Sequence, residues 1–165
     1  MDRLWTPWRL GYVSEGPASA DGCIFCDALA RIEDEPLVVH RGRACYVIQN
    51  KYPYNNGHLM VVPHRHVARL VELTPDELAE FGVLTQLSER VLAEVYHPHG
   101  FNMGLNLGRP AGAGIIYHLH MHVVPRWEGD TNFMTVIGET RVLPEELAQA
   151  GKRVREGFER LAQDE

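Results

Sequence analysis

The chain has 165 residues, is 45% hydrophobic and 23% charged, and carries a formal net charge of −6. This suits one domain with a sizeable core, and the acidic balance argues against a nucleic-acid-binding surface. No apolar run approaches the roughly 18 residues that a membrane span needs.

Met1 to Gly11 carries Trp5, Pro7 and Trp8 but no signal-peptide core, so a cytoplasmic protein is expected. Trp5 and Trp8 are expected to pin an irregular first segment to the body. The three cysteines, Cys23, Cys26 and Cys45, fit no disulfide framework. Cys23-Ile24-Phe25-Cys26 reads in three ways: a redox pair, half of a metal site, or two structural thiols. The redox reading wants an adjacent β-α-β pattern, which is absent.

Leu37 to His40 and Ala44 to Gln49 read as a β-hairpin around Gly42. Asn50 to Gly57 is a loop, broken by Pro53, Asn55, Asn56 and Gly57. His58 to Pro63 is the next strand. Thr74-Pro75-Asp76-Glu77 predicts a helix start, with Thr74 as N-cap, Pro75 in the first helical position and Glu77 closing a capping box. Leu78, Phe81, Leu84, Leu87, Val91, Leu92 and Val95 continue at helical spacing to about Tyr96.

Phe101 to Asn106 is a strand. Gly108 to Gly114 follows as a glycine-rich loop without a P-loop or dinucleotide pattern. Its glycines let backbone N–H groups approach a phosphate, and Arg109 adds charge. Trp127 to Leu143 is a long connection, and Pro144-Glu145-Glu146 opens a last helix to about Ala162. Strands and helices in this order, with hairpin connections, predict an α+β fold with a mainly antiparallel sheet.

The loop feeds into Tyr117-His118-Leu119-His120-Met121-His122-Val123-Val124-Pro125-Arg126. Three histidines alternate with Leu119 and Met121, a period of two that predicts a strand. His118, His120 and His122 would then share one face at steps of about 6.6 Å, with Leu119, Met121 and Val123 toward the core. Three imidazoles in phase are costly to bury without partners. Imidazole serves as metal ligand, acid or base, or nucleophile.

The run His118 to Val124 resembles the signature of the histidine triad family, His-φ-His-φ-His-φ-φ with φ hydrophobic. Asn50 followed by Gly57-His58-Leu59-Met60-Val61-Val62-Pro63 is similar to that family's other strong block. Leu4 to Arg9 and Pro125 to Phe133, which includes Trp127, resemble its bacterial branch related to diadenosine tetraphosphate phosphorylases. The resemblance implies a single domain over residues 1–165, with a core of about 23–126 and a C-terminal extension of 127–165. It implies a five-stranded antiparallel sheet, usually paired as a homodimer with a continuous ten-stranded sheet.

The resemblance also implies roles. His120 would be the nucleophile, held by the carbonyl of His118. His122 and His58 would contact the scissile phosphate, Asn50 the ribose hydroxyls, and Asn106 with Gly112 and Gly114 the phosphates. Trp127 would belong to the substrate site. The base pocket would lie near Tyr46–Ile48 and Leu59–Val61. A structural zinc would be held by Cys23, Cys26, His66 and His118, with His64 as rival to His66. His40, His97 and His99 are expected at the surface.

The implied reaction is nucleotidyl transfer from a dinucleoside polyphosphate through adenylyl-histidine, to inorganic phosphate or to water. Alternatives are a nucleoside phosphoramidate hydrolase, a non-catalytic nucleotide binder and a catalytic zinc hydrolase. Gly114-Ile115 stands where many relatives carry Gln-Ser or Gln-Thr. Backbone N–H groups, Arg109 or a water would have to replace that side-chain donor.

Overall fold

The computed structural model describes residues 22–130 and 145–161. Helices are α1 (Ile24–Ala30), α2 (Pro75–Tyr96) and α3 (Leu147–Leu161). Strands are β1 (Val38–Arg41), β2 (Cys45–Gln49), β3 (Leu59–Pro63), β4 (Gly100–Leu105) and β5 (Met121–Arg126). They form one five-stranded antiparallel sheet in the order β1-β2-β3-β5-β4. Among the described residues no helix is long and apolar enough to cross a membrane.

The chemistry at its start sets where α2 begins. Thr74 Oγ1 accepts from the Glu77 N–H at 3.3 Å, and the Glu77 carboxylate accepts from the Thr74 N–H at 2.8 Å. Two donors that no helical carbonyl can reach are thereby satisfied. His97, at φ 46°, ends the helix in the left-handed region. Between these ends Phe81, Leu84, Leu87, Val91 and Leu92 make one buried stripe. Leu78, expected in that stripe, is instead 47% exposed.

Period-two alternation divides the sheet into two faces. Val47, Leu59, Val61 and Val123 pack with the α2 stripe and with Val154 and Phe158 of α3. Tyr46, Ile48, Met60 and Val62 turn the other way, against Phe25 and Ala28 of α1. Each large apolar side chain buried this way contributes about 1.5–3 kcal/mol against exposure. Arg155 of α3 donates to the carbonyls of Pro36 and Val38 and so ties α3 to β1.

Three further readings of the sequence need correction. Helix α1 was not expected; its seven residues are too few to show a period, and its N-cap, Cys23, offers no side-chain bond. The histidine strand begins at Met121 rather than Tyr117, because the Leu119 N–H donates to the Val67 carbonyl at 2.6 Å and not to β3. His40 is half-buried rather than exposed: its ring stacks on Phe158 at 4.8 Å, and burial lowers its pKa. The expectations for Trp5, Trp8 and Pro144 and for most of the connection after Trp127 lie outside the described residues.

Candidate active site and metal centre

One row of residues crosses the sheet on the α1 face. Val38 pairs with Ile48, Ile48 with Met60, Met60 with His122, and His122 with Gly104. His58 stands two residues before Met60 and Asn106 two after Gly104, so the period of two delivers both to the face of His122. Gly104 has no side chain, and a Cβ there would meet nothing within 4 Å. The surface beside His122 on the β4 side is therefore open.

His120 lies just ahead of β5, 6% exposed. Its Nδ1 is 2.8 Å from the His118 carbonyl oxygen. A carbonyl only accepts, so Nδ1 carries the proton and Nε2 holds the lone pair. Burial lowers the pKa of His120, which keeps the ring neutral at pH 7. The Phe25 ring, 5.0 Å away, packs against it, and the His122 ring stands edge-on at 4.9 Å. A neutral imidazole in a fixed tautomer with Nε2 bare is the form a nucleophile requires.

His58 is buried and both its ring nitrogens are engaged. Nδ1 accepts from the Tyr54 N–H at 3.1 Å, and Nε2 lies 2.9 Å from His122 Nδ1. His122 Nε2 is 3.5 Å from the Asn106 amide nitrogen, so Asn106 and His122 flank the same spot. The chain reaches His58 through Gly57, whose φ is 74° and where a Cβ would come within 2.9 Å of the Tyr96 ring, so a side chain is disfavoured.

Asn50 precedes the loop. Its N–H donates to the His58 carbonyl, and its Oδ1 accepts from the Tyr52 N–H at 2.9 Å. The glycine-rich segment forms a short 3-10 turn, Arg109–Ala111, closed by Gly112 at φ 84°. Gly114 is half-buried, and Ile115 packs on the α1-side core. Trp127 stands edge-on to Tyr96 at 6.3 Å. The residues expected to line a base pocket divide between faces: Tyr46, Ile48 and Met60 join the α1 side, whereas Val47, Leu59 and Val61 belong to the opposite core.

Ligand atoms of Cys23, Cys26, His66 and His118 lie within 4.8 Å of one another. His118 Nδ1 is 3.4 Å from Cys23 Sγ and 3.6 Å from Cys26 Sγ, and His66 Nδ1 is 3.3 Å from Cys26 Sγ. Ligands on a tetrahedral zinc stand about 3.6 Å apart for S and N, so these separations and this donor set fit zinc. His118 Nε2 donates to the Pro63 carbonyl at 2.9 Å, which leaves Nδ1 bare toward the thiols. Burial depresses the His118 pKa to about 4, and burial followed by the neighbouring Cys23 pushes Cys26 up to about 11. The first keeps His118 a neutral ligand; the second means that Cys26 ionises readily only with a cation present. His64, the rival ligand, stays outside this cluster and faces Tyr46 at 6.0 Å.

Sequence reasoning gave no site role to Tyr54, Asn55 or Asp130. Tyr54 bonds His58 through its main chain, which leaves no trace in residue type. Asn55 Nδ2 donates to Asp130 Oδ2 at 2.7 Å across 75 residues, and no spacing rule covers such a pair.

A five-stranded sheet bearing alternating histidines beside a second histidine strand defines the histidine triad class. Residues 31–129 match the HIT domain, and the chain belongs to the HIT family. Among its relatives is the AP-4-A phosphorylase of Mycobacterium tuberculosis, 48% identical over 154 residues, covering 89% of this chain and 79% of that protein. A hypothetical histidine triad nucleotide-binding protein from Sulfolobus tokodaii strain 7 superposes with a TM-score of 0.71 at 31% identity, over 86% of this chain and 95% of that one. A zinc-bound histidine triad family protein from Mycobacterium smegmatis shares the fold, with a TM-score of 0.71 at 24% identity over 89% of this chain and 100% of that one.

Proposed function

We propose that this chain is a diadenosine tetraphosphate phosphorylase that transfers an adenylyl group through His120 to inorganic phosphate. The observation that carries the reading is the bare Nε2 of His120, fixed by the His118 carbonyl, in a chain 48% identical to a phosphorylase of that substrate.

His120 Nε2 attacks the α-phosphorus in line. A P–N bond forms and the bond to the bridging oxygen breaks, so ATP leaves with the electron pair. His122, Asn106 and the Gly112–Gly114 backbone face the phosphoryl oxygens and share their charge. An oxygen of inorganic phosphate then attacks the adenylyl-histidine, breaking P–N and giving ADP. His58 acts on phosphate through His122, because its own nitrogens are occupied. Asn50 holds the ribose hydroxyls. Tyr46, Ile48, Met60 and Phe25 supply the apolar wall beside the base. Trp127 lies at the rim of the substrate site.

Cys23, Cys26, His66 and His118 would hold a structural zinc. When bound, it supplies a cross-link between α1, the segment after β3 and the residue two before the nucleophile. The catalytic residues themselves need no metal. Among the described residues the β4 edge pairs only with β5 and exposes Met103, which suits joining two β4 edges into the ten-stranded sheet of a homodimer.

The deciding experiment is turnover of diadenosine tetraphosphate with and without phosphate. Equal amounts of ADP and ATP, formed only when phosphate is present, are expected. AMP in place of ADP would make water the acceptor.

A further inference from the structure

Phe25 stands between the two thiols in the chain and between two histidines in space. Its buried ring lies edge-on to His118, with 5.4 Å between centroids, and tilted against His120 at 5.0 Å. His118 belongs to the cluster with Cys23, Cys26 and His66, and His120 carries the bare Nε2. One rigid side chain therefore touches both groups. Its backbone is held from the sheet, because the buried Tyr46 hydroxyl donates to the Phe25 carbonyl at 2.8 Å. Phe25 also shares the core on this face with Tyr46, Met60 and Val62.

His120 needs such a contact. Its bond to the His118 carbonyl selects the tautomer, but a hydrogen bond tolerates a broad range of angles at the carbonyl. The χ2 torsion of histidine is also broad, so it does not set the plane of the ring. The direction of Nε2 is then decided by what packs on the ring. In-line attack is sensitive to that direction, since a misplacement of about 1 Å costs about 10²-fold in rate. Phe25 supplies a flat wall that cannot retreat. Cys23 lies two residues before it and Cys26 one after, so two members of the cluster and the Tyr46 bond fix the backbone around it. Helix α1, seven residues long with no side-chain cap at Cys23, is too short to hold that turn by itself.

We propose that Phe25 is a positioning residue for the nucleophile: anchored by Cys23, Cys26 and the Tyr46 hydroxyl, its ring fixes the plane of His120 and aims Nε2 at the α-phosphorus. This rests on the reading that His120 is the nucleophile and that the Cys–His cluster holds zinc. The cluster touches no substrate in that reading, yet it acts on the chemistry through a side chain as well as through the His118 main chain. Loosening Phe25 has two opposite consequences. The His120 ring gains room, so a small electrophile reaches Nε2 more easily. The fixed line to phosphorus is lost, so adenylyl transfer slows.

The test compares wild type, Phe25→Leu and Tyr46→Phe, each as the full chain with zinc, with fold checked by melting temperature and metal by elemental analysis. Tyr46→Phe keeps the ring and removes only the anchor. Two rates are read at His120 by mass spectrometry. One is single-turnover adenylylation by saturating diadenosine tetraphosphate. The other is carbethoxylation by diethyl pyrocarbonate, with no nucleotide present. Adenylylation should fall by about tenfold or more in Phe25→Leu and by less in Tyr46→Phe, while carbethoxylation rises several-fold in both. Saturating substrate separates the aim of His120 from any contact of Phe25 with the base. Removing zinc should move both rates the same way in wild type and much less in Phe25→Leu, because the two changes act through one contact. If Phe25→Leu does not fold, Tyr46→Phe decides alone. Both rates unchanged in a folded variant overturn the proposal. So does slower adenylylation with unchanged carbethoxylation, which would place Phe25 on the substrate alone. A full effect of zinc removal in Phe25→Leu overturns it too, since the cluster would then act through His118 only. The two underlying readings fail differently: wild type would form no adenylyl group on His120, or would bind no zinc.

Discussion

His118 holds His120 through its main chain, with 2.8 Å between the His118 carbonyl oxygen and His120 Nδ1, while its own ring faces Cys23 and Cys26. His120 and the Cys–His cluster are thus adjacent but use different atoms of one residue.

His120→Asn should keep the fold and bind substrate, since asparagine is polar and smaller than histidine. Turnover should nevertheless fall by roughly 10⁴-fold or more, because covalent catalysis is lost and only binding and electrostatic assistance remain. Wild type quenched early in turnover should carry an acid-labile adenylyl group on His120. An adduct mapped to another residue would show that the nucleophile lies elsewhere.

Protein purified without chelator should contain about one zinc per chain by elemental analysis. Cys26→Ser should lose that metal and lower Tm by about 5 °C or more, since metal bound only by the native state adds to its stability. A Cys26→Ser protein that retained stoichiometric zinc and its wild-type melting point would dispose of the cluster as a metal centre.

Asn50→Ala should raise KM several-fold with a smaller change in kcat. Ribose hydroxyls change little between ground and transition states, so their contacts weigh equally on both. Asn50 also accepts from the Tyr52 N–H, so part of the effect should come through the loop. Steady-state kinetics reversing this pattern, with kcat reduced at constant KM, would assign Asn50 to the chemistry instead.

Glu77 connects stability to pH. Its carboxyl is held down to about 2, first by Arg65 and then by the Thr74 N–H. The folded pKa is below the unfolded one, so this contribution is complete above about 4.5 and fades as pH falls toward 2. The site is open enough that solvent screening keeps it to about 1 kcal/mol or less. Glu77→Gln should be less stable than wild type at pH 7, and thermal melts should converge as the pH falls to about 2. A constant gap across that range would mean that the carboxylate's charge is immaterial.

Much of the architecture could be read from residue type because local chemistry decides it. Thr74, Pro75 and Glu77 locate the start of α2, and alternation locates β3 and the faces of β5. The metal set was legible only by family resemblance, since Cys23 and His118 lie far apart in sequence. His64 and His66 are both histidines in one short segment, and only packing separates them. Helix α1 and the Asn55–Asp130 bond were not legible. The former is too short for periodicity, and the latter joins two loops whose approach depends on the whole sheet.

Strand β3 is buried at all five positions, yet its neighbours differ by parity. Leu59 and Val61 belong to the helix-packed core; Met60 and Val62 belong to the side of the histidines. Stability and chemistry are therefore interleaved residue by residue along one segment. A deletion of a single residue would exchange the two sets at once, turning Leu59 toward His122 and Met60 toward Phe81. Substitutions can adjust either face alone, but a change of length cannot. The strand should accept altered side chains far more readily than an altered residue count.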